Sequence, residues 1–162
     1  MNPEPKIFEQ LRAGVVTRAA EETRDLAATF AAELQADTTL ALHGNLGVGK
    51  TTFVQGLAHG LGITEHVTSP TFNIFTLHRG RTNLLHLDAY RLDNARQVDD
   101  LLLTDFMISP WVLAVEWPER IADWLPVDTL HLDLGILPDE CHTVKVRPCS
   151  GPSVAGDMPE SV

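Results

Sequence analysis

Positively charged residues are scarce in this sequence. Its 162 residues include 12 Lys and Arg against 22 Asp and Glu, which gives a formal net charge of −10 at pH 7. Affinity for a nucleic-acid backbone depends mostly on Lys and Arg. The composition therefore argues against a protein that grips DNA or RNA by itself, although it leaves open a role in nucleic-acid metabolism through a partner.

Cysteines and long apolar runs are also few. Cys141 and Cys149 stand in neither a C-x-x-C nor a zinc-ligand spacing, which argues against a disulfide framework or a structural metal site. The Ala-rich segment 27–34 is too short and too closely flanked by charge to span a membrane, and the N-terminus does not resemble a signal peptide. We therefore expect a soluble, cytoplasmic protein.

The length and the hydrophobic content fit a single folded unit. Hydrophobic residues make up 44% of the chain, which is ordinary for a globular protein. Residues 1–10 are polar, contain two prolines and are expected to be loose. From residue 148 onward the chain has Pro, Gly, Ser and acidic residues with little to bury. We expect residues 1–147 to form one domain and residues 148–162 a disordered tail.

The most informative feature lies at residues 44–51, which read G-N-L-G-V-G-K-T. This is a complete G-x-x-x-x-G-K-[ST] phosphate loop, and it follows an apolar run that is typical of a strand. Its glycines allow backbone N–H groups to turn towards phosphate oxygens, and the helix that follows adds its positive N-terminus. Lys50 is expected to reach the terminal phosphates, and the Thr51 hydroxyl to ligate Mg²⁺. The residues expected to hold the phosphates of a nucleoside triphosphate are Gly44, Asn45, Leu46, Gly47, Val48, Gly49, Lys50, Thr51 and Thr52.

Hydrophobic periodicity predicts alternating helices and strands. Helices are predicted at residues 21–34, after the phosphate loop as far as Gly60, and at 93–106. Strands are predicted at residues 14–17, 38–43, 71–77, 83–88, 111–115, 129–134 and 142–146. The five-residue connection between the third and fourth strands contains Gly, which favours a hairpin. The pattern indicates a three-layer α/β fold with a mostly parallel, partly antiparallel central sheet.

Two acidic residues end apolar runs. Asp88 follows residues 84–87, and Glu116 follows residues 112–115. In open α/β sheets, ligands bind outside the carboxyl ends of the strands. Either acid fits a Mg²⁺ ligand or a group that orients the attacking water, and the spacing does not decide which is which.

Two further residues have both a functional and a structural explanation. Thr71, in S-P-T-F, could offer its hydroxyl to phosphate or Mg²⁺, but a turn fixed by proline explains the motif equally well. His86 and Asp88 alternate on one strand and so share a face, which would allow a metal pair. A hydrogen-bonded histidine is the favoured interpretation of His86.

Four motifs occur in a fixed order: the phosphate loop, S-P-T-F at residues 69–72, H-L-D-A-Y-R at 86–91 and E-W-P-E at 116–119. Together they resemble the bacterial TsaE family, the tRNA threonylcarbamoyladenosine biosynthesis ATPases, over about residues 17–146. The resemblance implies a P-loop NTPase fold and an ATPase that uses Mg²⁺ and ATP. It also implies TsaB and TsaD as partner proteins, with tRNA contacted only through their complex.

The resemblance implies roles for particular residues. Thr51 and Glu116 would bind Mg²⁺, while Asp88 would orient water or act as a general base. Thr71 would lie in a switch-like segment and would be catalytic together with Lys50 and Asp88. By analogy, Ala20 and His142 would lie near the nucleotide. The sequence departs from the family pattern at Asn45, where Asp is usual, and at His142, near a position where Arg is frequent.

Two other functions stay open. A small-molecule kinase of the same fold would need an arginine-bearing lid, and only Arg79 and Arg81 are clustered in the sequence. A GTP-dependent switch would need a guanine-recognition motif, and no N-K-x-D occurs.

Overall fold

The structure, a computed structural model, describes residues 6–70 and 73–148. Thr71, Cys149 and all but the first residue of the predicted tail lie outside the described residues. The helices are α1 Lys6–Ala13, α2 Ala20–Glu33, α3 Lys50–Gly60 and α4 Arg96–Asp99, with 3-10 helices at Leu103–Phe106 and Pro118–Trp124. The strands are β1 Val15–Thr17, β2 Thr38–His43, β3 Phe75–His78, β4 Asn83–Asp88, β5 Trp111–Glu116, β6 Leu130–Ile136 and β7 His142–Val146.

The seven strands form one sheet in the order β1-β7-β6-β2-β5-β4-β3. Strands β6, β2, β5 and β4 are parallel, whereas β1, β7 and β3 each pair antiparallel with a neighbour. The predicted fold class and the hairpin between β3 and β4 are therefore confirmed. Because β2 lies between β5 and β6, the carboxyl ends of three parallel strands meet at the phosphate loop.

Side chains from the sheet pack into two cores because successive residues of a strand point to opposite faces. Helices α1, α2 and α3 cover one face, where Leu40, Leu42, Leu84 and Ala114 are buried. On the other face α4 and the 3-10 helices cover a smaller core built on β4 and β5, which contains Leu113 among others. Among the described residues, no helix has the length and apolar character needed to cross a membrane.

Two predictions about helices were wrong. Residues 6–10, which were expected to be loose, belong to helix α1, since Ile7 and Leu11, one turn apart, are buried in the core. Residues 93–106 do not form one helix. Leu102 takes a left-handed backbone conformation with φ of 55°, and this separates the four-residue α4 from a 3-10 helix. The first result depends on contacts with residues distant in sequence, such as that of Phe8 with Phe30, which local periodicity does not record.

Helices α2 and α3 pack through a glycine of α3. A Cβ placed on Gly56 would lie 2.7 Å from the Cβ of Ala27 and closer still to the carbonyl oxygen of Arg24. We expect Gly56→Ala to lower the free energy of unfolding by about 1–3 kcal/mol, because the helices must separate to admit the methyl group. Urea denaturation would measure this, with His59→Ala, at an exposed site on the same helix, as the control. Equal stability of the two variants would contradict the packing described.

Candidate functional site

The phosphate loop joins β2 to α3, and three of its glycines have positive φ. The angles are 152° at Gly44, 86° at Gly47 and 100° at Gly49, a region that side chains with a Cβ rarely adopt. A Cβ on Gly44 would also lie 2.6 Å from Val48 Cγ2 and 2.7 Å from the carbonyl oxygen of Leu134. Around Gly47 the space is open, so the loop backbone at this point is accessible to a ligand.

Lys50 is buried at the start of α3 and crosses the mouth of the loop. Only 5% of its surface is exposed. Its Nζ donates a hydrogen bond to the carbonyl oxygen of Gly44 at 2.6 Å and lies 3.8 Å from the centre of the Trp117 ring. Burial lowers the pKa of the ammonium group, and the carboxylates of Glu116, Glu119 and Asp88 act in the opposite direction. The Lys50 amino group therefore lies at the place where a polyphosphate would enter.

Both candidate acids lie at the same edge of the sheet. Asp88 ends β4 and Glu116 ends β5, and the two residues are paired in the parallel register. Asp88 is half-buried, and its Oδ1 accepts a hydrogen bond from the N–H of Tyr90 at 3.0 Å. Glu116 is only 5% exposed, and its Oε2 accepts a hydrogen bond from His86 Nε2 at 2.6 Å. The two acids therefore differ in their access to water, which the spacing alone did not indicate.

These groups converge on one cavity of about 720 Å³, named here the phosphate-loop cavity. Its lining residues are Leu46, Gly47, Gly49, Lys50, Thr51, Thr52, Ser69, Asp88, Tyr90, Arg91, Glu116 and Trp117. Eight of them, all but Ser69, Tyr90, Arg91 and Trp117, are candidate site residues predicted from the sequence. A larger cavity of about 820 Å³, lined by parts of α2, α3 and residues 63–67, contains none of the phosphate loop.

Four lining residues were not predicted as site residues: Ser69, Tyr90, Arg91 and Trp117. Trp117 has a left-handed backbone conformation, with φ of 58°. It is partly buried against the core on β4 and β5, and its ring also contacts the ring of Tyr90, with 5.1 Å between the centroids. The guanidinium carbon of Arg120 lies 5.3 Å from the Tyr90 ring centroid. All four residues belong to the motifs that carry the family resemblance. Membership of these motifs is the feature of the sequence from which they could have been predicted as site residues.

Two predicted nucleotide contacts, Ala20 and His142, do not line the cavity. Ala20 is exposed at the first residue of α2. The Nδ1 of His142 donates a hydrogen bond to the carbonyl oxygen of Val48 at 2.8 Å. A Cβ on Gly49 would lie 3.4 Å from the same nitrogen, so His142 supports the phosphate loop from β7.

Arg79 and Arg81 lie apart from the cavity. Both belong to the segment between β3 and β4, and neither lines the phosphate-loop cavity. Arg81 donates a hydrogen bond to the carbonyl oxygen of Gly60 at 2.7 Å, at the C-terminal end of α3. A kinase lid would need arginines over the phosphates, but Arg81 binds the end of a helix and neither arginine of this pair lines the cavity.

The site has donors that suit Mg²⁺ bound together with a nucleotide. The described residues contain no cluster of three or more His, Cys, Asp or Glu side chains that could hold a metal ion. Mg²⁺ is usually held by one or two carboxylates together with substrate phosphates and water. The Thr51 hydroxyl and the Glu116 and Asp88 carboxylates around one cavity fit that requirement.

A pair of histidines lies beside the phosphate loop on the strands that support it. Nε2 of His43 and Nδ1 of His131 are 2.9 Å apart, and their rings stack with centroids 5.1 Å apart. Burial lowers the pKa of both rings, and the Arg147 guanidinium lowers both further. Asp133 opposes these effects at both rings, as Glu119 does at His43.

We expect the free energy of unfolding to fall as the pH drops below about 6.5, the ordinary pKa of histidine. Below that pH the unfolded chain binds protons at His43 and His131 that the folded chain binds only at lower pH. Arg147 lowers the pKa of Asp133 as well, but that contribution is lost mainly below the ordinary Asp value of 3.8. Urea denaturation between about pH 7 and pH 5 would measure how steeply the free energy of unfolding changes with pH. An unchanged slope in the variant with both histidines replaced by Gln would contradict this assignment.

Comparisons with known proteins agree with the geometry. The family model described as "Threonylcarbamoyl adenosine biosynthesis protein TsaE" matches residues 17–143. A tRNA threonylcarbamoyladenosine biosynthesis protein TsaE from Treponema pallidum is 38% identical over 124 residues, which are 76% of this chain and 92% of that protein. The protein of the same name from Bacillus subtilis is 41% identical over 113 residues, or 69% of this chain and 70% of the relative.

Solved structures give the same result. The crystal structure of Bacillus subtilis YdiB superimposes with a TM-score of 0.71 at 31% sequence identity, and the match covers 88% of each chain. The resemblance inferred from four short motifs therefore extends to most of the sequence and to the fold of most of the chain.

Proposed function

The chain belongs to the TsaE family of threonylcarbamoyl adenosine biosynthesis proteins, and from this premise we propose a specific role for it. We propose that it is the component of the tRNA threonylcarbamoyladenosine machinery that binds and hydrolyses ATP with Mg²⁺. The observation that carries the proposal is the phosphate-loop cavity, where the loop, a buried lysine and two strand-end carboxylates meet.

Each lining group has a task in this proposal. The loop N–H groups and the Lys50 ammonium hold the phosphates, and Thr51 and Glu116 hold Mg²⁺. A bound Mg²⁺ ion neutralises charge on the β- and γ-phosphate oxygens. Asp88 orients the attacking water, because it is the more exposed of the two acids and lines the same cavity.

The nucleoside end of ATP is proposed to lie towards β1 and β7. Thr17, at the end of β1, pairs with His142 at the start of β7, and α2 begins three residues later at Ala20. His142 is joined to the phosphate loop, just before α3 begins, by its hydrogen bond to the carbonyl oxygen of Val48. This arrangement supports Ala20 and His142 as contacts of the nucleoside.

We further propose that the chain works in the cytoplasm with TsaB and TsaD and reaches tRNA only through them. The net charge of −10 supports this indirect contact, because a surface so acidic repels a phosphate backbone. ATP hydrolysis would then support repeated turnover by the partners, while the transfer of the threonylcarbamoyl group would take place elsewhere in the assembly.

Release of phosphate from ATP by the purified chain, with and without TsaB, TsaD and tRNA, tests the proposal. We expect Mg²⁺-dependent hydrolysis that rises when the partners are present and that yields inorganic phosphate rather than a phosphorylated small molecule. Absence of hydrolysis in the complete mixture would overturn the ATPase assignment. Transfer of phosphate to an acceptor would favour the kinase alternative instead.

A further inference from the structure

His86 and Glu116 are diagonal neighbours on two parallel strands. The register pairs His86 with Ala114 and Asp88 with Glu116, and alternation puts all four side chains on the sheet face that α3 covers. Diagonal neighbours on adjacent strands are within reach of long side chains. The Glu116 carboxylate turns back along the sheet, and its Oε2 lies 2.6 Å from His86 Nε2.

The whole of this pair is withdrawn from water. His86 is 0% exposed and Glu116 is 5% exposed. Because a carboxylate oxygen accepts, Nε2 of His86 is the donor. Its other nitrogen, Nδ1, is the single buried side-chain nitrogen or oxygen without a hydrogen-bond partner within residues 6–70 and 73–148. The described contacts of the imidazole therefore give it one polar partner, Glu116.

Stability does not explain a histidine at this position. On the same face of the sheet as His86, Leu84 and Ala114 are fully buried, and an apolar side chain at position 86 would pack beside them without an unpaired nitrogen. Burying polar groups costs free energy unless each is hydrogen-bonded. The cost points to a role for the imidazole in the orientation of the carboxylate beside the phosphate-loop cavity.

We propose that His86 is a positioning residue for the magnesium site: it holds Oε2 of Glu116, which directs Oε1 towards the phosphate-loop cavity. The inference rests on the proposed function, since it concerns the acid assigned to Mg²⁺ there. Hydrogen bonds from outside a metal site that orient its ligands typically change metal affinity by about 10–100-fold when they are removed. His86 acts through Glu116 and touches neither nucleotide nor metal.

The test compares variants that remove the hydrogen bond with one that restores it. His86→Leu removes it, and His86→Asn has a shorter side chain that does not reach Glu116. In His86→Gln the side-chain amide nitrogen extends to about the position of Nε2. Leu84→Ala, on the same strand and face, lowers stability without contact to Glu116 and serves as the control for a purely structural effect.

Calorimetry measures the affinity for a non-hydrolysable ATP analogue in Mg²⁺ and in EDTA. For His86→Leu and His86→Asn we expect the affinity in Mg²⁺ to fall by about 10-fold or more, with the affinity in EDTA unchanged. In His86→Gln the ratio of the affinity in Mg²⁺ to the affinity in EDTA should return to the wild-type value. In Leu84→Ala this ratio should be that of the wild type, although the melting temperature should be lower. The Mg²⁺ concentration for half-maximal hydrolysis should rise in His86→Leu and His86→Asn and should stay near the wild-type value in His86→Gln and Leu84→Ala.

If His86→Leu and His86→Asn lost equal affinity with and without Mg²⁺, the inference would be overturned. A wild-type ratio of the affinities in Mg²⁺ and in EDTA for His86→Asn would overturn it as well. If His86→Leu does not fold, the comparison of His86→Asn with His86→Gln still decides. The proposed function itself would be overturned if the wild-type chain bound no nucleotide, or bound it with the same affinity in Mg²⁺ and in EDTA. The two failures are therefore distinguishable.

Discussion

Replacement of Lys50 by alanine is expected to weaken ATP binding by about a hundredfold, which corresponds to roughly 3 kcal/mol at about 1.4 kcal/mol per tenfold. The reason is direct: the buried ammonium at the mouth of the phosphate loop is the counterion that the phosphate charge would lose. A hydrogen bond to a charged group contributes about 1.5–3 kcal/mol, and the substitution also removes the Coulomb attraction. Competition against a fluorescent ATP analogue, followed by anisotropy, would measure the change.

The exposed lysine of β7, Lys145, provides the control for Lys50. Lys145→Ala changes the net charge by the same amount at a site outside the phosphate-loop cavity, so we expect ATP affinity within about twofold of the wild type. The far-ultraviolet circular dichroism of both variants should match the wild type. Unchanged ATP affinity in a folded Lys50→Ala variant would count strongly against the site.

Replacement of Glu116 by glutamine is expected to lower Mg²⁺-dependent hydrolysis by about a hundredfold, because a metal ion supplies several kcal/mol of charge stabilisation in the transition state. The amide keeps the volume of the side chain and can still accept the hydrogen bond from His86. The negative charge offered to Mg²⁺ is lost, whereas the phosphate contacts of the loop and Lys50 are retained. Steady-state phosphate release, measured over a range of Mg²⁺ concentrations, would show the effect.

Nucleotide binding in EDTA separates loss of the metal ligand from loss of the site. In Glu116→Gln this affinity should stay within about threefold of the wild type. The control Glu33→Gln, at an exposed position at the end of α2 and outside the phosphate-loop cavity, should leave both hydrolysis and binding nearly unchanged. If instead Glu116→Gln hydrolysed ATP normally and Asp88→Asn lost the Mg²⁺ dependence, the roles of the two acids would be exchanged.

Much of the fold and of the site could be predicted because the informative signals are local. The glycines of the phosphate loop need positive φ wherever they occur, and Asp88 and Glu116 directly follow apolar runs that form parallel strands. Those features depend on a few consecutive residues. The alternation of helices and strands then indicated the α/β architecture.

What the sequence did not predict depends on contacts between distant segments. The bond between His86 and Glu116 joins residues 30 positions apart, and its geometry follows from strand register. The turn of Trp117 towards Lys50 follows from a left-handed backbone that no local pattern requires. Helix α1 is held by the core that it covers, with the ring of Phe8 at 5.1 Å from that of Phe30.

Calorimetric titration of ATP and Mg²⁺ into the chain, alone and with TsaB and TsaD, would show whether the phosphate loop and Lys50 bind a nucleotide. We expect saturable heat with one nucleotide per chain, and weaker binding when EDTA removes the metal. No heat from any adenine nucleotide in either mixture, with the protein shown to be folded, would contradict this expectation.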